Sequence, residues 1–211
     1  IYRIIRKGEV RVNGKRAKPD QRVFAGDQVR IPPVRTAESG QPAAVGQQLG
    51  DRLRAAILYQ DDALLVLDKP AGLPVHGGTG VKLGVIEALR QLFPEWPGLE
   101  LVHRLDKGTS GVMVVAKHDD SHKELARQFH DREVEKEYVA LAWGLVQQRK
   151  RINAAIGRDP THRLKMSTRA SRAREAVTRI TWARDLRGVT LCRVAIHTGR
   201  THQIRVHLSA I

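Results

Sequence analysis

The sequence predicts an α+β fold in which a mostly antiparallel, mixed sheet carries a small number of helices. Two observations lead to this prediction. Segments with the composition of strands outnumber helical segments, and their order along the chain is irregular, which is typical of antiparallel sheets. Of the 211 residues, 41% are apolar and 28% are charged, so the chain has the composition of a globular protein.

Residues 1–34 predict a small basic module ahead of this sheet. A helix is expected to end at Gly8, and Asn13-Gly14 is a strong signal for a tight hairpin. A second turn leads into a strand at residues 28–31, which Pro32 and Pro33 end. A unit of this size has little core of its own, so we expect it to be tethered to something larger.

Residues 35–53 are rich in Gly, Gln, Ala and Pro, and we predict that they form a linker. The larger unit is expected over residues 54–211. Its strands are predicted at residues 56–59, 64–67, 112–116, 134–143, 176–182 and 189–196. Helices are predicted at residues 85–92, after a cap at Asp119 or Asp120, and from Thr201 onwards. Because the first residue is not Met and the last falls within an expected helix, we expect a fragment of a longer protein.

Charge is the strongest compositional signal. The 37 Lys and Arg outnumber the 22 Asp and Glu, which gives a net charge of +15 and makes a polyanion the expected partner, with nucleic acid the first choice. An anionic membrane is the second choice, but no basic amphipathic helix supports it and no apolar run approaches the roughly 20 residues of a membrane span. With only three Trp, three Tyr and three Phe, phosphate contacts should supply the affinity instead of stacked bases.

Cys192 is the only cysteine, which excludes an intrachain disulfide and a thiolate metal cage and fits a reducing cytoplasm. Its apolar flanks indicate a buried strand position. His118 and His122 lie four residues apart, but the Glu of a zinc-protease helix is missing, so a solvated helix face is favoured over a metal site. We therefore predict no metal.

The segment His103-Arg104-Leu105-Asp106-Lys107-Gly108-Thr109-Ser110-Gly111 sets a carboxylate between two cations, just before an apolar strand. A turn that ends on a buried strand holds its side chains rigidly, which makes Asp106 the leading candidate for a catalytic residue. The alternative is a surface turn with solvated charges. A kinase catalytic loop is excluded, because the metal-binding Asn of that loop is Gly111 here.

Three further segments bear on this site. Tyr138 falls in an alternating strand, where a core tyrosine is the alternative, and Lys69-Pro70 is either a simple turn or a platform under a pocket. The run from Thr198 to His207 packs two Arg and two His around a turn that leads into a helix. If that run is helical, Arg205 points away from the apolar face and can reach across a cleft.

Four motifs, in this order, resemble those of RNA pseudouridine synthases, in the branch that acts on ribosomal and transfer RNA. They are Lys69-Pro70-Ala71-Gly72, His103-Arg104-Leu105-Asp106 with Thr109-Ser110-Gly111, Tyr138, and Gly199-Arg200-Thr201-His202-Gln203-Ile204-Arg205. Residues 1–34 are similar to the distal half of the S4 RNA-binding module. The resemblance covers nearly the whole chain except the linker, and a chance match to all four motifs is negligible.

The resemblance implies that the chain converts uridine to pseudouridine in RNA, with the 23S ribosomal RNA of the large subunit as substrate and no cofactor. Asp106 would be the essential carboxylate, attacking covalently or removing a sugar proton, and Arg205 would be its salt-bridge partner. Tyr138 would lie against the uracil. The implied pocket residues are Lys69, Pro70, His103, Leu105 and Ile204.

The target base must leave the RNA stack, and Arg104 is suited to fill the vacated space. Further contacts to the RNA backbone would come from Lys107, Arg200, Arg3, Arg6, Lys7, Arg11, Lys15 and Arg16. A transfer RNA synthase of the same family, and a non-catalytic RNA-binding or ribosome-assembly factor, remain alternatives. We expect a cytoplasmic monomer.

Overall fold

A computed structural model describes residues 4–5, 8–32, 43–78, 83–162 and 164–211. The chain divides into two compact units, Ile1–Ala43 and Ala44–Ile211. Three of the predicted RNA contacts, Arg3, Arg6 and Lys7, lie outside the described residues.

The described part of the first unit contains three short strands, β1 (Arg11–Val12), β2 (Lys15–Arg16) and β3 (Val29–Arg30), in the antiparallel order β2-β1-β3. The hairpin predicted at Asn13-Gly14 is confirmed, because both residues have the positive φ of a type I′ turn, 50° and 77°. The Asn13 side chain also spans to the second turn, where it donates to Asp27 and accepts from the Gln28 N–H. The core of this unit is small, as expected, and consists of Val10, Val12 and Ala17 with Ile4 and Ile5 packed against them.

The second unit begins with a four-stranded antiparallel sheet of order β4-β5-β7-β6. Its strands are β4 (Ile57–Gln60), β5 (Leu64–Lys69), β6 (Glu100–Leu101) and β7 (Gly111–Ala116). Helices α1 (Gln47–Ala55), α2 (Val85–Leu92) and α3 (Asp119–His130) accompany this sheet. Leu65 and Leu67 of β5, Met113 of β7 and Leu89 of α2 are fully buried in one core cluster.

A second four-stranded antiparallel sheet has the order β8-β13-β12-β9. It consists of β8 (Glu137–Trp143), β9 (Arg151–Asn153), β12 (Val177–Asp185) and β13 (Val189–Ile196). The hairpin strands β10 (Gly157–Arg158) and β11 (Met166–Ser167) pair with each other, and the six-residue helix α4 (Gln203–Leu208) follows β13. Cys192 is fully buried on β13, as predicted, in a core cluster with Ile152, Ile180 and Val194.

The predicted α+β class is therefore confirmed, and every pairing between strands in the described part of the chain is antiparallel. Among the described residues, no helix has both the length and the apolar character needed to cross a membrane.

Residues 35–42 of the predicted linker lie outside the described residues, and the prediction is wrong for its last part, because α1 occupies Gln47–Ala55. Val45, Leu49 and Leu53 recur every four residues and pack into the first core cluster, with Leu53 fully buried. Gly50 lies so close to Leu92 that an added Cβ would meet its side chain at 3.0 Å. This face of α1 belongs to the core of the second unit.

The predicted cap of α3 is also corrected. Neither Asp119 nor Asp120 caps the helix; His118 does, through a hydrogen bond that its side chain accepts from the Ser121 N–H. The two aspartates occupy the first turn instead, where their charge favours the helix dipole.

Candidate active site

The four sequence motifs meet where the core cluster around Leu65 and the core cluster around Cys192 come together. Tyr138, on β8, packs against both clusters and so marks the boundary between the two sheets. A cavity of about 690 Å³ opens beside it. Its walls include Arg104, Leu105, Asp106, Thr109, Tyr138, Arg200, Gln203, Ile204 and Arg205.

Asp106 and Arg205 face each other across this cavity. The Arg205 Nη2 lies 3.8 Å from the Asp106 Oδ2, which is within the range of an ion pair but too long for a hydrogen bond. The carboxylate is 23% exposed and the guanidinium side chain 56% exposed. The Asp106 carboxylate therefore lies in a pocket that is open to solvent, and the more exposed Arg205 guanidinium lies on its outer side.

The motif Lys69-Pro70-Ala71-Gly72 lies behind the Asp106 loop and fixes its backbone. The Lys69 side chain is fully buried, and its Nζ donates to the carbonyls of Pro70, Leu73 and Lys107 at 2.9, 2.8 and 3.4 Å. The Gly72 N–H donates to the same Lys107 carbonyl at 2.8 Å. The residue after Asp106 is therefore held by two donors from this motif.

The buried ammonium also contributes charge. Burial lowers the pKa of Lys69, and the negative charge of Asp106 opposes that shift. A second cation thus interacts electrostatically with the carboxylate, from inside the protein.

His103 anchors the start of the same loop. Strand β6 ends at Leu101, and the His103 imidazole then continues the pairing along β7, because its Nε2 accepts the Val114 N–H at 2.9 Å. Its ring stacks on Phe129 of α3 with a centroid distance of 4.5 Å. Burial, together with the nearby charge of Lys136, lowers the pKa of His103 to about 4, so the ring is neutral at pH 7 and its Nε2 can accept.

Tyr138 presents its hydroxyl in an environment that opposes ionisation. Burial raises its pKa, and the charge of Asp106 adds to the effect. The strand pattern around it alternates between exposed and half-buried residues, as predicted from the sequence. The tyrosine is thus a neutral, partly apolar surface next to a carboxylate.

The structure brings seven predicted residues into the cavity, namely Arg104, Leu105, Asp106, Tyr138, Arg200, Ile204 and Arg205. Lys69, Pro70 and His103, which were also expected at the pocket, are not among the cavity walls; Lys69 and His103 instead hydrogen-bond the backbone of the loop and of β7. Lys107 is exposed and is absent from the cavity walls. Three of the described cations of the first unit, Arg11, Lys15 and Arg16, were predicted to contact RNA, and they are exposed on their hairpin.

Several residues that the geometry brings to the site had no role predicted from the sequence, among them Thr109, Gln203 and Phe129. Thr109 and Gln203 line the cavity, and Phe129 supports His103. Thr109 and Gln203 lie within motifs that the sequence had already marked, whereas Phe129 carried no signal beyond its place on the apolar face of α3. Among the described residues, no group of three or more His, Cys, Asp or Glu could hold a metal ion.

Comparison with known proteins assigns the family. The sequence model of RNA pseudouridylate synthases matches residues 63–210, and that of the S4 domain matches residues 1–29. The chain belongs to the RNA pseudouridylate synthase family. The family resemblance stated from the four motifs is therefore confirmed.

Its relatives include the ribosomal large subunit pseudouridine synthase C of Escherichia coli K12, which is 47% identical over 210 residues, covering 98% of this chain and 66% of that protein. The synthase C of Haemophilus influenzae Rd is 44% identical, covering 98% and 65%. The chain therefore spans just under two thirds of the length of these relatives.

Two human structures have the same fold over this region. The human RNA pseudouridylate synthase domain containing 4 gives a TM-score of 0.64 at 34% identity, covering 77% of this chain and 67% of that one. The human RNA pseudouridylate synthase domain containing 1 gives 0.61 at 30% identity, covering 74% and 64%.

Proposed function

We propose that this protein isomerises uridine to pseudouridine in the 23S ribosomal RNA of the large subunit. The observation that carries the proposal is the Asp106 carboxylate in an open cavity, facing Arg205 and electrostatically coupled to Tyr138. A cavity of about 690 Å³ is large enough for one nucleotide. The names of its relatives favour ribosomal over transfer RNA.

The reaction exchanges one bond for another. The bond between N1 of uracil and C1′ of ribose breaks, the base turns, and C5 bonds to C1′, after which C5 loses a proton and N1 gains one. Asp106 either bonds to C1′ or removes a sugar proton, and both roles need an ionised carboxylate. Because no net oxidation occurs and the only nucleophile or base required is on the chain, we propose that no cofactor or metal takes part.

The remaining cavity residues would hold the base. Arg205 would keep the Asp106 charge in place, while Tyr138 and Ile204 would form an apolar surface against the uracil. Arg104 is exposed at the cavity wall, where its side chain would fill the space that the flipped nucleotide leaves in the RNA. Flipping the nucleotide costs about a few kcal/mol of lost base stacking.

Affinity would come from backbone contacts. We assign these to Lys107 and Arg200 near the cavity and to the cations of the first unit, which matches the S4 domain. Such contacts are electrostatic and should weaken with salt. We further propose that the protein acts as a monomer in the cytoplasm, where a ribosomal RNA substrate is found.

Tritium release from RNA labelled at C5 of uridine tests the proposal, because C5 loses its hydrogen only if the new bond forms. We expect release from 23S RNA with the unmodified protein and none with Asp106→Asn, which should still bind RNA. The matched control is Asp120→Asn, which removes an exposed carboxylate that pairs with Lys123 at 3.3 Å on α3. Turnover by Asp106→Asn would refute the catalytic assignment, and binding without release by the unmodified protein would favour a non-catalytic factor.

A further inference from the structure

Helix α4, which carries Arg205, is fixed by an unusual set of buried polar residues. Gln203 and His207 are 3% and 0% exposed, and they meet Thr178 and Thr198, which are 0% and 4% exposed. A helix of six residues has little stability of its own, so its position depends on the contacts of its buried face.

For a neutral imidazole, the two hydrogen bonds of His207 have one consistent arrangement. Its Nε2 is 2.9 Å from the Ala154 carbonyl, which can only accept, so this nitrogen carries the proton. In the neutral ring the Nδ1 must then accept, and its partner at 2.8 Å is the Thr178 hydroxyl. The Thr178 oxygen is left to accept from the Gln203 Nε2 at 3.0 Å.

The Gln203 side chain is equally determined. Its Nε2 also donates to the Val177 carbonyl at 3.0 Å. Its Oε1 accepts from the Thr198 hydroxyl at 2.8 Å and from the Arg200 N–H at 3.0 Å. Turning the amide over would set its oxygen against the Val177 carbonyl oxygen and its NH2 group against the Arg200 N–H, so the network holds the side chain, and with it the helix, in one orientation.

We propose that Thr178, Gln203 and His207 are positioning residues that aim Arg205 at Asp106, an inference that rests on the proposed function. At about 100° per residue, Arg205 lies about 160–200° around α4 from Gln203 and His207, so the face they bury directs the guanidinium toward the cavity. The ion pair spans 3.8 Å, close to the limit of about 4 Å for such pairs. A small shift or rotation of α4 would therefore separate the two charges.

The same residues also fix the cavity wall that precedes the helix. Because Gln203 accepts the Arg200 N–H and the Thr198 hydroxyl, the turn before α4 moves with the helix. Ile204, on the cavity side, moves with it as well. The network thus affects the site by fixing the position of α4, and its hydrogen bonds involve neither Asp106 nor the Arg205 side chain.

Thr178→Val tests the proposal, because it keeps the shape of the side chain but removes the donor to His207 and the acceptor for Gln203. We expect kcat for tritium release to fall by about ten-fold or more, with the KM for RNA changing less than about two-fold. Thr178→Ser keeps the hydroxyl and should restore kcat to within about three-fold of the unmodified protein.

Thr190→Val is the matched control. Thr190 is a 1% exposed threonine of the same sheet whose hydroxyl donates to the Gly144 carbonyl at 2.6 Å and accepts the Val146 N–H at 3.2 Å. These two hydrogen bonds do not involve α4. Loss of the Thr190 hydroxyl should therefore lower the melting temperature, while kcat stays unchanged. His207→Leu is the second test variant, in case Thr178→Val fails to fold, because His207 belongs to the network but not to the cavity wall; it should likewise lower kcat and leave KM nearly unchanged.

A double-mutant cycle identifies the route of the effect. If Thr178 acts through Arg205, then Thr178→Val should cost much less in single-turnover rate in an Arg205→Lys background than alone. Three results would each overturn the inference: equal kcat for the Thr178 and Thr190 variants, no recovery of kcat in Thr178→Ser, or strict additivity in the cycle. The proposed function would still stand in these cases, provided that the unmodified protein is active. No tritium release by the unmodified protein would overturn the proposed function and this inference with it.

Discussion

At the scale of single residues, Asp106 interacts with two cations of different kinds. Lys69 is fully buried and donates to three carbonyl groups, whereas the Arg205 side chain is 56% exposed. Removing Lys69 leaves buried acceptors without a donor, which is a loss of stability as much as of charge. Removing Arg205 takes away mainly the charge at the carboxylate.

Arg205→Gln should therefore reduce catalysis far more than stability. We expect the single-turnover rate of tritium release to fall about 10²-fold or more, because a charge at the reacting group is lost. The free energy of unfolding should change by less than about 1 kcal/mol, since the ion pair is partly solvated. Rate and urea unfolding are measured side by side, with Lys123→Gln, which breaks the exposed pair with Asp120, as the control that leaves the rate unchanged. A near-normal rate for Arg205→Gln would remove the ion pair from the mechanism.

His103 predicts a pH dependence of stability. Its pKa is about 4 in the folded protein against 6.5 for a free imidazole, so the unfolded chain binds more protons between these values. The stabilisation from the neutral ring is complete above pH 6.5 and is lost as the pH falls through 6.5 toward 4. Between pH 7 and pH 5 this group alone should cost about 2 kcal/mol of unfolding free energy.

His103→Gln removes the titrating group at this site. Urea unfolding at pH 7 and pH 5 should show a smaller loss on acidification for the variant than for the unmodified protein, by about the same 2 kcal/mol. The variant should also be less stable at pH 7, because the imidazole stacks on Phe129 and accepts the Val114 N–H. Parallel pH slopes for the two proteins would mean that His103 is not held neutral by its surroundings.

At the scale of elements, the sequence was most reliable where apolar residues follow one period. The strand predicted at residues 189–196 coincides with β13, and the helix at residues 85–92 with α2. Helix α1 was missed because its glycine and glutamines suggested a loop, although Val45, Leu49 and Leu53 already had helical spacing. In this segment the helical period of the apolar residues outweighs the loop-like composition.

The site was predictable in part for a similar reason. Motif residues marked the cavity, but the hydrogen bonds that hold it join residues far apart in the chain. The Lys69 ammonium meets a carbonyl 38 residues away, and the Gln203 amide meets Thr178 25 residues away. No local pattern encodes such pairs, so the sequence alone does not predict that Lys69 and His103 hydrogen-bond the backbone at Lys107 and Val114.

Leu53→Ala tests whether α1 belongs to the core of the second unit. A fully buried leucine cut to alanine should lower the free energy of unfolding by about 2–5 kcal/mol, because a cavity remains beside the helix. Arg52→Ala, at the exposed position next to it, should change it by less than about 0.5 kcal/mol. Both values come from urea unfolding at pH 7. A loss below about 1 kcal/mol for Leu53→Ala would restore the view of this segment as a linker.

At the scale of the whole molecule, the net charge of +15 is spread over both units. Cations near the cavity and cations of the first unit would contribute differently to the proposed activity. Those at the cavity would act on the flipped nucleotide and its neighbours, whereas those of the hairpin would add affinity along the RNA backbone. The first set should influence the chemical step, and the second should influence binding and its dependence on salt.

The triple variant Arg11→Gln, Lys15→Gln, Arg16→Gln tests this division, because it removes three cations from the β1–β2 hairpin and changes no residue of the second unit. Each lost phosphate contact should reduce the slope of log Kobs against log salt by about 0.7–0.9, so three contacts would reduce it by about 2–3. The rate at saturating RNA should stay the same, since the reacting groups lie in the other unit. Binding is measured by filter retention or anisotropy across a range of salt concentrations, and single-turnover tritium release gives the rate. An unchanged salt slope would show that the hairpin does not contact the RNA backbone, whereas a fall in the saturated rate would show that the first unit also orients the substrate for reaction.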